Sequence, residues 1–132
     1  MGLFNTLDNQ ANDRNRSHIK NLIEMALADG KIDDKELALL KEVALRFDFT
    51  EEDIREIQNS VENVKFTPPS SEKLKIEQLN ELVKMMMVDK KIEESEVNLC
   101  KSLAIKLNLA PAIIDELIDM NVQQLKRKNS DT

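Results

Sequence analysis

Leu22-Ile23-Glu24-Met25-Ala26-Leu27-Ala28-Asp29-Gly30-Lys31-Ile32-Asp33-Asp34-Lys35-Glu36 contains one helix end and one helix start. Ile19, Leu22, Ile23, Ala26 and Leu27 recur at helical spacing, which predicts a helix from about Ser17 to Asp29. Gly30 then supplies a left-handed residue that closes the helix without a Cβ clash. Asp33 stands where an N-cap belongs, and Glu36 at the third helical position completes a capping box. The stretch occurs twice. Shifted by 60 positions, without a gap, it falls on Leu82-Val83-Lys84-Met85-Met86-Met87-Val88-Asp89-Lys90-Lys91-Ile92-Glu93-Glu94-Ser95-Glu96. Further on, Leu39, Lys41, Ala44, Ile54 and Glu56 fall on Leu99, Lys101, Ala104, Ile114 and Glu116. Two copies are too few for a solenoid, which needs about three or more units to bury its faces. A duplication folded into one body is expected.

The fold class is therefore all-α: a single compact helical domain of two pseudo-symmetric three-helix repeats plus a short C-terminal helix. Residues 1–12 show no clear apolar period and read as an N-terminal tail, frayed or forming a loosely docked short helix. The helical domain covers 13–126, with repeat one at 17–63, a linker at 64–70 and repeat two at 71–120. Leu37, Leu40, Ala44 and Phe47 stripe the second helix, and Thr50 caps a third that carries Ile54 and Ile57 to about Asn63. Pro68-Pro69 cannot lie inside a helix, which marks the linker. In the second copy Ser70 or Ser71 opens a helix to Val88, and the next runs from about Glu94 to Leu107. Pro111 opens the helix after that, and Asn121 is read as the cap of the short last helix, ending at Lys126. Residues 127–132 form a C-terminal tail.

Composition narrows the function. With 41% apolar and 33% charged residues, the 132-residue chain can bury a core and remain soluble. Two glycines and three prolines give too little turn punctuation for many short strands. Trp and Tyr are absent and Phe numbers four, which argues against a stacking surface for single-stranded nucleic acid. A net charge of −6 repels a phosphate backbone, and Lys126-Arg127-Lys128 is too short to reverse that, so no nucleic-acid partner is expected. One cysteine excludes an internal disulfide and fits a reducing compartment. No apolar run approaches a membrane span, and the first residues lack a signal peptide's basic start and apolar stretch. Met1-Gly2-Leu3-Phe4-Asn5-Thr6 fits the loose myristoylation pattern, which has meaning only where the transferase exists. A cytoplasmic protein without membrane insertion is expected.

The recurring acids are the candidate site. Asp29 and Glu36 reappear as Asp89 and Glu96 while most neighbouring positions differ. The stretch around Asp29 has the look of an EF-hand loop, but the first and third ligand positions would be Met25 and Leu27, which offer a hard cation nothing. A capping box accounts for Glu36 and Glu96, where the helix dipole favours an acid by about 0.3–1 kcal/mol. It does not account for Asp29 and Asp89, which stand near helix C-termini. A pseudo-two-fold axis bringing both pairs together would offer four oxygen ligands, suited to calcium, magnesium or manganese rather than zinc. Gly30 becoming Lys90 weighs against this, because an ammonium there can neutralise Asp89 without a metal. Cys100 takes the place of Leu40 on the apolar stripe and reads as a core thiol. His18, near the start of the first helix, reads as a surface or capping residue. Met85-Met86-Met87 spans nearly a full turn, so one of the three is expected to face outward. Met86 is the candidate, for an interface with a partner helix or a second subunit, set against the default that these methionines fill the core between the repeats.

The pattern apolar-Ala-Asp-Gly-x-Ile-x-x-x-Glu followed by Leu-x-x-x-Ala resembles the TerB family, the tellurite-resistance proteins and the TerB-like domains of DnaJ-type co-chaperones. Ala28-Asp29-Gly30-Lys31-Ile32-Asp33-Asp34-Lys35-Glu36 carries the first copy well, and Val88-Asp89-Lys90-Lys91-Ile92-Glu93-Glu94-Ser95-Glu96 carries the second more weakly. The resemblance spans roughly Asp13 to Met120. It implies an all-helical, duplicated module whose acids, here Asp29, Glu36, Asp89 and Glu96, chelate a divalent metal. It also implies a part in stress-response complexes near the membrane. The expected function is a non-enzymatic module for metal-linked stress response, acting through a protein partner or self-association. The alternatives are a metal-free helical interaction domain and, third, a metal-dependent hydrolase.

Overall fold

Six α-helices make up the described chain: α1 (Gly2–Ala26), α2 (Asp34–Arg46), α3 (Glu51–Asn59), α4 (Glu72–Met87), α5 (Glu94–Lys106) and α6 (Ile113–Ser130). Single 3-10 turns follow α1 at Leu27–Asp29 and α3 at Val61–Asn63, and no strand occurs among the described residues. The computed structural model describes residues 2–88 and 92–130, with backbone alone at 2–10, 29, 129 and 130.

Local chemistry sets most of the boundaries. Gly30 closes the first 3-10 turn at φ 111°, its N–H bonded to the Leu27 carbonyl at 2.9 Å. Asp33 caps α2: its carboxylate accepts from the Glu36 N–H at 2.8 Å, and Glu36 Oε1 accepts from the Asp33 N–H at 3.0 Å. Thr50 and Asp53 form the same reciprocal box at α3, and Ser71 caps α4 by accepting from the Leu74 N–H at 3.1 Å. The ends of α2 and α5 use a device that periodicity does not signal. Asp48 (φ 59°) and Asn108 (φ 62°) turn left-handed, and the next residues, Phe49 and Leu109, bond back to Ala44 and Ala104 at 2.9 Å. These are glycine-type C-caps built with the two side chains that best tolerate this backbone.

Four boundaries differ from the sequence expectation, one of them at Pro111, which lies in a turn two residues before α6 begins at Ile113. The first helix starts at Gly2 rather than about Ser17, so the segment without an apolar period is nonetheless helical. Its residues include few helix breakers, and the packed half of α1 nucleates the rest. Helix α3 stops at Asn59, the remainder to Asn63 being a 3-10 turn. The short terminal helix is not separate: α6 is continuous from Ile113 to Ser130. Asn121 caps nothing there. It lies buried in mid-helix, its amide donating to Asn80 Oδ1 on α4 and to the Leu117 carbonyl, both at 2.8 Å.

Helices α1 and α4 pack on each other at the centre. Helix α1 also meets α2 and α3, and α4 meets α5 and α6. A helix enclosed on several sides needs apolar residues around most of its circumference, which explains Met86. Met85 and Met86 are both buried, and only Met87 reaches the surface in part. The outward Met86 expected from helical geometry is thus overturned: α4 has core on both sides of its axis. Sixty positions away Ala26 is equally buried. Leu40 and Cys100 are both fully buried, as their shared stripe predicts.

Candidate functional site

Of the four candidate acids, Glu36 and Glu96 have described side chains. Both are buried, at 3% and 7% exposure, which is unusual for glutamate and requires polar or charged compensation. For Glu36 the capping box supplies part of it. Helix α5 begins differently: its N-cap, Glu93, makes no side-chain cap hydrogen bond, yet Glu96 is nearly as buried. The two helix starts thus differ in their N-cap while sharing a buried glutamate. Asp29 ends the 3-10 turn before Gly30, with only its backbone described, and Asp89 lies outside the described residues. Among the described residues no three His, Cys, Asp or Glu side chains gather into a metal-binding group.

One turn along α5 from Glu96, burial pushes the Cys100 thiol up to about 12, and the negative charge of Glu96 adds to the effect. A thiol held that high is not a thiolate near neutral pH.

The side-chain cluster that sequence reasoning missed centres on Glu81. His18 is 1% exposed, not a surface residue, and its Nε2 lies 2.7 Å from Glu81 Oε1. Arg46 Nη2 donates to the other carboxylate oxygen. The His18 ring meets Phe47 edge-on with centroids 6.2 Å apart, and the Arg46 guanidinium sits 5.8 Å above the same Phe47 ring. Burial alone would raise the Glu81 carboxyl. The His18 hydrogen bond and charge, joined by Arg46, outweigh it and hold Glu81 below the ordinary carboxylate range. The Glu81 carboxylate can only accept, so the bond requires a hydrogen on His18 Nε2, and Nδ1 is buried without a partner among the described residues. A cleft of about 340 Å³ opens beside the cluster, lined in part by Arg14, Glu77 and Lys84. The sequence signal was faint. His18 sits directly before Ile19 on the first helix, and the position of Glu81 on α4 becomes informative only once α1 and α4 are known to pack together.

No helix among the described residues is long and apolar enough to cross a membrane. No curated protein and no solved structure is similar enough to the chain to count as a match. The family model described as tellurite resistance protein TerB matches residues 4–59. That span takes in α1, the Asp29-Gly30 turn, the capping box at Glu36 and all of α3. Joined to the all-helical fold, this match shows that residues 4–59, under half of the chain, are similar to the TerB family.

Proposed function

We propose that the protein is a non-enzymatic TerB-like module of the tellurite-resistance type, working in the cytoplasm and linking a divalent metal to stress response through protein contacts. The observation that carries this reading is the recurrence of Asp29 and Glu36 as Asp89 and Glu96, with both glutamates buried at equivalent helix starts. Carboxylates withdrawn from water are costly unless something positive meets them. All four acids offer oxygen, and that donor set fits calcium, magnesium or manganese better than zinc. Glu36 and Glu96 would hold the ion with Asp29 and Asp89.

The second reading, a metal-free interaction domain, draws on the two hydrogen bonds that already engage Glu36 with Asp33. Melting curves separate the two. An ion bound only by the folded chain raises the melting temperature with free ion concentration. The proposal expects such a rise for calcium or manganese and its loss in Asp29→Asn. Curves that stay superimposed across all added divalent ions leave the capping role alone.

A further inference from the structure

Helices α2, α4 and α6 enclose an open groove of about 420 Å³ with largely apolar walls. Leu39 comes from α2, Met87 from the end of α4, and Leu125, itself 49% exposed, from α6. Beyond Val122, residues 123–128 of α6 are all exposed, so this end of the helix gains little from packing within the chain. The charges around the groove are not those of the chain as a whole, which carries −6. Lys84 and Lys128 border it against one acid, Glu42, and neither lysine has an ion pair among the described residues.

We propose that this groove docks an amphipathic helix of a partner protein. Its apolar anchors, spaced i, i+3 or i+4, and i+7, seat against Leu39, Met87 and Leu125, and its acidic flank faces Lys84 and Lys128. The inference rests on the reading that the module acts through protein contacts, and it names the surface and the chemistry of the partner. Charge selects against the exposed end of α6 from a second copy as the occupant: it carries Lys126 and Lys128, which would bring like charges to the lysines of the groove.

The test is selection of a display library of helical peptides, randomised at every exposed position, on the full chain. Enriched sequences should combine the apolar spacing with Glu or Asp on the flanks. Leu125→Glu should weaken a selected peptide about tenfold or more by fluorescence anisotropy. Because Leu125 is half exposed, circular dichroism of that variant should match the parent. A double variant, Lys84→Glu with Lys128→Glu, should reverse the preference to basic flanks. Enrichment of basic helices overturns the proposal. Peptides indifferent to Leu125→Glu place the contact elsewhere, ending this assignment but not the protein-contact reading. A library yielding no binder overturns both. A sedimenting dimer that Leu125→Glu dissolves gives the groove to a second copy, and the acidic partner is then wrong.

Discussion

His18 and Glu81, from the two central helices, meet at 2.7 Å between Nε2 and Oε1, where the carboxylate also takes a hydrogen bond from Arg46. Three helices are thereby joined at one partly buried acid, α1 through His18, α2 through Arg46 and α4 through Glu81.

The first prediction concerns acid stability. The folded pKa of Glu81 lies below its unfolded value, so between the two the unfolded chain binds the extra proton. Stability from Glu81 is present above the unfolded value, about 4.3, and falls away as pH drops through the folded one. Urea unfolding from pH 6 to pH 3 should show this loss in the parent and a shallower slope in Glu81→Gln. At neutral pH the variant should cost about 1–3 kcal/mol, as for hydrogen bonds to a charged group. A Glu81→Gln profile parallel to the parent's would show that Glu81 carries none of the pH dependence.

The core makes a second. Leu40→Ala should destabilise by about 2–5 kcal/mol, since Leu40 is fully buried. Cys100→Ser should cost less but remain destabilising, because it buries a hydroxyl. Native Cys100 should react with a thiol reagent only as fast as the chain opens, measured against labelling in denaturant.

Backbone strain at the ends of α2 and α5 supplies a third. Glycine at Asp48 or Asn108 relieves a left-handed conformation, so Asp48→Gly and Asn108→Gly should be neutral or stabilising by up to about 1 kcal/mol. Valine at either position should destabilise by about 1–2 kcal/mol. Equal effects of glycine and valine on thermal unfolding would mean these positions are not left-handed in solution.

Features written locally in the chain were legible in it. Apolar spacing placed the helices, and Gly30, Asp33, Thr50 and Ser71 marked ends that the structure keeps. The matching of Leu40 to Cys100 through the internal repeat anticipated their shared burial; the burial of Glu36 and Glu96 was not anticipated. What depends on neighbouring helices was not legible. Met86 looked outward on an isolated helix and is inward because α4 is enclosed. His18 looked like a surface residue because nothing near it in sequence announces Glu81. Asn121 looked like a cap because its partner, Asn80, lies on another helix. The candidate metal set was readable as residue types and spacing. Its geometry depends on where the two turns lie relative to each other, which spacing does not encode.

The most direct test of the metal reading is calorimetric titration of chelator-treated protein with calcium, manganese and zinc in turn. The account predicts saturable heat with calcium or manganese, weaker heat with zinc, and loss of the signal in Glu96→Gln, whose side chain keeps the shape but not the charge. No heat with calcium or manganese, or an undiminished signal in Glu96→Gln, would contradict it.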